Sequence, residues 1–251
     1  MNLINNTEED FRLMLYQNYV SDYKKVTSAK SDKDKKSDYE IYKRRYLPML
    51  REYSKDSKII EVGCGNGYVM QFFREQGFTN LYGIDISVEQ IKEARGKGLN
   101  ADVKNIFEFF RTNKEKYDVV LALDFVEHFS KDELPALFSG LNNLLNKDGV
   151  LIIHTPNGEG FFPGRIIYGD LTHLTIFNPT SLLQILLNTG FKEIKFFEVS
   201  PVAKNIKGIV RLVLWKIIRS IIRISKIIET GSVGRILTQS FMCVAKKNLI
   251  K

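Results

Sequence analysis

The residues best suited to chemistry lie in one short stretch and at a few later positions. Ile59-Ile60-Glu61-Val62-Gly63-Cys64-Gly65-Asn66-Gly67 passes from an apolar run into a turn with glycine at every second position. Such a turn lets backbone approach a ligand where a Cβ would clash. The spacing G-x-G-x-G differs from the G-x-G-x-x-G of a dinucleotide pyrophosphate site, and no Gly-Lys-Ser/Thr follows to make a phosphate loop. Asp85 closes the next apolar run and Asp102 the one after it. At the carboxyl edge of a parallel sheet, a carboxylate such as Asp85 can accept hydrogen bonds from the two vicinal hydroxyls of a ribose.

Two histidines are candidates for a general base. His128 follows Asp124-Phe125-Val126-Glu127, and His173 ends Asp170-Leu171-Thr172-His173. His154, on an apolar run beside Thr155 and Pro156, reads as a structural or cleft-lining residue. Asp124, His128, Asp170 and His173 are hard and borderline ligands, but they lack compact ligand spacing, so no metal is expected. The only cysteines, Cys64 and Cys243, support neither a disulfide framework nor a zinc site.

The elements that must position these groups follow from periodicity. Residues 58–155 alternate short apolar strands with helical stretches, the pattern of a parallel sheet covered on both faces. Strands are expected at 58–63, 81–85, 100–103, 118–123 and 149–155. Helices are expected at 71–75, 88–94, 107–111 and 132–145, the last ending on the stop Asn146-Lys147-Asp148-Gly149. A long loop rich in Gly, Pro and aromatic residues, 156–179, holds Asp170 and His173. A helix at 180–188, a strand at 191–199 and a last strand at 239–246 complete the pattern. At the N-terminus, Phe11, Leu15 and Tyr19 predict a helix over 8–23, followed by a mobile polar loop from Ser21 to Asp38. Tyr39, Tyr42, Tyr46 and Leu50 then mark a second helix that packs on the main body, and both helices could cap a cleft.

Taken in order, these features resemble the class I methyltransferases that use S-adenosylmethionine, over residues 40–200. The resemblance implies a Rossmann-like α/β fold with a seven-stranded sheet whose last strand is antiparallel. It implies that Glu61, Gly63, Cys64, Gly65, Asn66 and Gly67, running on to Tyr68, accommodate the methionine part of the cofactor. Asp85 would bind the ribose, with Ile86 also on the cofactor, Asp102 and the Val103 backbone would read the adenine edge, and Leu123 and Asp124 would line the methionine end. The Glu127-His128 pair, and the segment Asp170 to Asn178 with His173 and Phe177, resemble the branch that includes ubiquinone-pathway and cell-surface-sugar methyltransferases. That branch implies O-methylation of a small or cell-surface-glycan precursor, as in capsule or O-antigen synthesis, with a quinone-pathway phenol or a phosphate-like anionic acceptor as alternatives. The sulfonium is already an excellent leaving group, so catalysis is mainly in-line positioning. A hydroxyl acceptor also benefits from a base, for which His173 is favoured over His128. No Asn-Pro-Pro-Tyr-like tetrad follows the fourth strand, which argues against methylation of base amino groups. An RNA-binding methyltransferase remains an alternative through the basic charge alone.

At 251 residues and 44% hydrophobic, with 17 Phe and 11 Tyr, the chain can fill the core of one domain. Within it, 1–55 read as a helical cap or lid, 56–200 as the cofactor-binding core, 203–235 as an inserted basic amphipathic helix and 239–247 as the closing strand. The formal charge is +8, and Lys204 to Lys226 holds seven basic residues and no acidic one. Apolar residues of 204–228 fall on one helical face, while charges interrupt every run short of the ~20 residues needed to span a bilayer. Two readings stay open for this segment. Its Ile face packs on the sheet or on a partner subunit, or its cations meet anionic lipid while Trp215 and the Ile face insert shallowly. The polar, acidic start of the chain lacks signal-peptide character, so a cytoplasmic protein is expected, peripheral at the inner membrane face under the second reading.

Overall fold

The computed structural model describes Leu15 and residues 32–247, apart from 233 and 235. Seven strands form one sheet in the order β3-β2-β1-β4-β5-β7-β6. They are β1 Ile59–Val62, β2 Leu81–Asp85, β3 Ala101–Val103, β4 Tyr117–Leu123, β5 Leu145–Pro156, β6 Phe191–Glu198 and β7 Ser240–Lys247. β1 to β5 pair in parallel, and β7 runs antiparallel to both β5 and β6. This is the Rossmann-like sheet expected, with its last strand reversed.

The central strands are apolar on both faces because helices cover both. On β1, Ile60 and Val62 join one core and Ile59 the other. The first core receives α4 (Ile106–Thr112), α5 (Leu134–Leu144) and α7 (Pro179–Asn188). The second receives α1 (Asp32–Arg45) with the short turn Leu47–Leu50, and α2 (Tyr68–Glu75); α3 (Val88–Gly96) closes a smaller cluster over β2 and β3. Helix starts are fixed by short polar side chains. The Ser87 side chain accepts from Gln90 N, the Asn105 side chain from Phe107 N and Glu108 N, and Asn178 forms a capping box with Ser181.

The chain moves outward from β1 to β2 and β3, then returns to the other side of β1 as β4. Where strand order reverses, the helices leave in opposite directions and open a crevice at the carboxyl ends. The candidate residues after β1 and after β4 therefore face each other across that crevice.

Three expectations need correction. The predicted stop Asn146 to Gly149 lies inside β5: pairing slips from Tyr117↔Leu145 to Val119↔Val150, and the extra residues bulge out, held by an Asn146 Nδ2 bond to Asp118 Oδ1 of 2.6 Å. α1 begins at Asp32, within the stretch expected to be a mobile loop; the rest of that loop, and the predicted helix over 8–23 apart from Leu15, lie outside the described residues. The basic segment does form a helix, α8 (Ile206–Thr230), after the small α6 (Gly164–Tyr168) in the long loop. Yet α8 buries no residue, so its Ile face is not packed on its own sheet.

α1 is held by aromatic contacts. The Phe72 ring on α2 lies 5.4 Å from Tyr39 and 5.7 Å from Tyr42 in edge-on geometry, and Tyr46 is buried beneath them. Phe72→Ala is expected to destabilise the fold by about 3–5 kcal/mol in urea unfolding, the usual cost of emptying such a site. Amide exchange should rise across α1 at the same time; unchanged protection there would show that other contacts hold it.

Candidate active site

A cleft of about 470 Å³ opens at the carboxyl ends of β1, β2 and β4, a size suited to one small ligand. Gly63 turns the chain at the end of β1 with φ +70°, in the left-handed region, and a Cβ there would run into the Phe125 ring. The Gly63 and Cys64 N–H groups both donate to Ile84 O, at 2.8 and 3.0 Å. Gly65 N–H donates to Asp85 Oδ2 and Ser87 N–H to Asp85 Oδ1, each at 2.8 Å. Lys97 Nζ donates to Asn66 O at 2.5 Å and stands over the Tyr68 ring. The turn is thus braced from both flanks.

Across the crevice, Asp124 leaves β4 at φ 50°, a left-handed conformation that Asp tolerates at a cost of about 1–3 kcal/mol. Its carboxylate pairs with His154 Nδ1 at 2.7 Å, and His154 Nε2 meets Ser240 Oγ at 3.1 Å. His154 is therefore a brace for Asp124.

Thirteen of the residues singled out in the sequence for the cofactor, a base or a metal line this cleft: Glu61, Gly63, Cys64, Gly65, Asn66, Tyr68, Asp85, Ile86, Leu123, Asp124, His128, Asp170 and His173. Gly67, Asp102 and Val103 do not. Gly67 instead caps α2 from the left-handed region. Asp102 pairs in register with Ile84, and Val103 with Asp85. Strand alternation therefore turns Asp102 to the opposite face from Asp85. There it takes an ion pair from Arg95 and a 2.9 Å hydrogen bond from the Tyr82 hydroxyl. The cleft wall beyond β3 is made by Lys104, Asn105, Ile106 and Phe107. β3 ends at Val103, one residue past the Asp102 carboxylate. Tyr42 and Tyr46 also reach the cleft, which their helical spacing signalled only as packing residues.

The fold also gathers a polar group around His128, another residue of the cleft lining. The Thr172 hydroxyl donates to Asp170 Oδ1 at 2.6 Å, so Thr172 Oγ1 and its carbonyl O face His128 Nδ1 as acceptors, at 2.9 and 3.2 Å. Nδ1 then carries the ring proton and Nε2 the lone pair. Burial, reinforced by His173 alongside, pulls the His128 pKa down to about 4, so the ring is neutral at neutral pH. His173 sits with its ring 4.9 Å from that of His128 and its Nδ1 buried without a partner. Burial, with Asp124 nearby, pushes the Glu127 carboxyl well up; its Oε2 accepts from Thr155 at 3.0 Å and its Oε1 has no partner. Glu127, His128 and His173 each offer a ligand atom within 4.8 Å of the others, a set able to hold a divalent cation. Sequence spacing gave no such compactness, since the loop at 170–173 returns to the 3-10 turn Val126–His128 only in three dimensions.

Comparison with known proteins decides the family. A model described as a methyltransferase domain matches residues 34–195. This chain belongs to the methyltransferase-domain family. A ubiquinone biosynthesis O-methyltransferase of Actinobacillus pleuropneumoniae is 33% identical over 110 residues, 40% of this chain and 46% of that protein. Aligned segments cover 26% to 50% of the curated relatives they match. A SAM-dependent methyltransferase from Archaeoglobus fulgidus shares the fold at TM-score 0.63 and 24% identity, over 83% of this chain and 92% of that one. So does magnesium protoporphyrin IX methyltransferase from Synechocystis, with SAM bound, at TM-score 0.59 and 14% identity, over 99% and 100%.

The Synechocystis enzyme of this fold holds SAM, S-adenosylmethionine, and the groups lining this cleft suit that molecule. The molecule presents vicinal ribose hydroxyls, an ammonium and a sulfonium, and the cleft offers Asp85, Glu61 and Asp124. Glu61 is buried, with Oε2 lacking a partner. Such an orphaned carboxyl oxygen calls for a donor, which a ligand ammonium would supply. Cys64, by contrast, is a buried thiol whose pKa is pushed up by burial, so it lines the turn without acting as a nucleophile.

Burial and the neighbouring charge of Asp85 push the Glu61 pKa up to about 8. Below that pH its proton must leave before a cationic group can pair with it. Affinity for S-adenosylmethionine is therefore expected to fall as pH drops below about 8, by up to about tenfold per unit. Calorimetry across pH should show Glu61→Gln flattening this dependence, whereas an unchanged slope would place the titration on another group.

Proposed function

We propose that the protein methylates an oxygen of a small or cell-surface-glycan precursor, using Glu61, Gly63, Cys64, Gly65, Asn66, Asp85, Ile86, Leu123 and Asp124 to hold the cofactor. The observation that carries this reading is the pair of imidazoles, His128 and His173, that line the same cleft as Asp85 with their rings 4.9 Å apart. Bound S-adenosylmethionine supplies an activated methyl carbon, so the chain's own task is to place a nucleophile in line with it and receive a proton. His173 would take the proton that an acceptor hydroxyl loses as it is methylated. His128, neutral and locked in one tautomer by Thr172, positions the acceptor and His173 rather than acting as the stronger base, since a group with a pKa near 4 accepts protons poorly at neutral pH.

A quinone-pathway phenol is the second reading. Phe107, Phe125 and Phe129 pack edge-on along the wall beside the histidines, with ring centroids 5.0 to 5.7 Å apart, and such a wall suits a planar ring. The printed name of the Actinobacillus relative points the same way. A cytoplasmic enzyme, peripheral at the inner membrane face, is the location that goes with this reading. Among the described residues no helix is long and apolar enough to cross a membrane.

His173→Ala separates chemistry from binding. With sugar-precursor and demethylated-quinone acceptors, release of S-adenosylhomocysteine is expected to fall roughly 10²- to 10⁴-fold, the usual worth of a positioned base. Cofactor affinity should stay within error. Full turnover in this variant on an accepted substrate would remove His173 as the base.

A further inference from the structure

α8 is built inside out for a helix of a globular protein. Gly208, Leu212, Trp215, Arg219, Ile222 and Lys226 are its most shielded residues, and they recur at helical spacing as one stripe turned to the body. Arg219 anchors that stripe by an ion pair to Glu198 on β6, Nε to Oε1 3.2 Å. Ile209, Val213, Ile217, Ile221, Ile224 and Ile228 are each at least half exposed. At about 100° per residue they centre on the face opposite the stripe. The apolar face thus looks away from the protein. Trp215, expected in the sequence to insert with the Ile face, instead lies in the body-facing stripe with its indole Nε1 out of solvent.

Charge sits at the borders of that face. Lys207 and Arg211 run along one edge, Lys216 and Arg223 along the other, and no acidic residue lies between Lys204 and Ile228. The helix is secured at both ends, by the Asn205 side chain accepting from Gly208 N at 2.9 Å and by Gly231 in the left-handed region. Water is a poor solvent for such a face, and a patch this long marks an interaction surface. A second copy laid along it would set two rows of cations against each other with no acid to pair them. A surface of anionic headgroups over acyl chains matches both features.

We propose that α8 docks the protein onto an anionic lipid bilayer, lying in the plane of the interface. The Ile and Val side chains enter the headgroup boundary, and the flanking Lys and Arg reach back to lipid phosphates. The proposal stands independently of which acceptor is methylated.

Flotation with vesicles of phosphatidylcholine, alone or mixed with phosphatidylglycerol, tests it on the full chain. The protein is expected to float with the mixed vesicles, far less with phosphatidylcholine alone, and to be released by salt. Replacing Val213, Ile217, Ile221 and Ile224 together by Ser should abolish flotation while leaving cofactor affinity unchanged, because none of the four is buried. Replacing Arg211, Lys216 and Arg223 by Gln should weaken partitioning on the order of a hundredfold. Absence of flotation by the wild-type chain, or equal flotation by the Ser variant, would overturn the proposal. So would sedimentation showing a lipid-independent dimer that the same Ser substitutions dissociate, which would make the face an interface between copies.

Discussion

The hydrogen bond from the Gly65 N–H to the Asp85 carboxylate ties the turn after β1 to the end of β2, and the cofactor side of the cleft depends on it. The other oxygen of the same carboxylate takes the Ser87 N–H, so one side chain fixes both the turn and the start of α3. Each such charge-assisted bond contributes on the order of 1.5–3 kcal/mol. An aspartate held this way is preorganised: its rotamer is set before a ribose arrives. Gly63 can lie against Phe125 only because it has no side chain, and that contact brings the β1 turn and the β4 loop close enough to enclose one ligand.

Two residues that line the cleft, Glu61 and His173, and a third, Glu127, beside His128 in the chain, carry buried polar atoms that the fold leaves unsatisfied. Glu61 Oε2, Glu127 Oε1 and His173 Nδ1 are all buried without a hydrogen-bond partner. Leaving such a group unpaired costs about 1–3 kcal/mol, a cost that a ligand donor or acceptor would relieve. Their raised carboxyl pKa values share a cause, burial next to another acid, Asp85 for Glu61 and Asp124 for Glu127. The strained backbone of Asp124 belongs to the same pattern, local cost concentrated where a ligand must be met. A braced turn beside Asp85 and unmet polar demand at Glu61 and His173 together describe a site prepared to receive a polar ligand.

Much of this was legible from residues alone, for identifiable reasons. A parallel sheet imposes short apolar runs and puts function at their carboxyl ends, so the Gly-rich turn, Asp85 and Asp124 could be placed without coordinates. Legibility ended where three dimensions decide. Asp102 closes an apolar run just as Asp85 does, but the pairing of Val103 with Asp85 turns it to the other face, toward Arg95. The bulge at 146–149 reads as a helix stop because turn residues look the same in both settings. The closeness of His173 to His128 depends on a loop returning over forty residues, which no local pattern encodes. For α8, amphipathic periodicity was clear, but which way the apolar face points is a property of the packed fold, and the ion pair of Arg219 with Glu198 settles it.

The central claim is that the turn at Gly63 to Asn66 and the carboxylate of Asp85 form a site for S-adenosylmethionine. Calorimetric titration of the full chain with S-adenosylmethionine, S-adenosylhomocysteine, NAD and a short RNA tests it most directly. The account predicts saturable binding of the first two at one molecule per chain, and none of NAD or RNA. Binding of NAD or RNA with no response to either form of the methyl donor would contradict it.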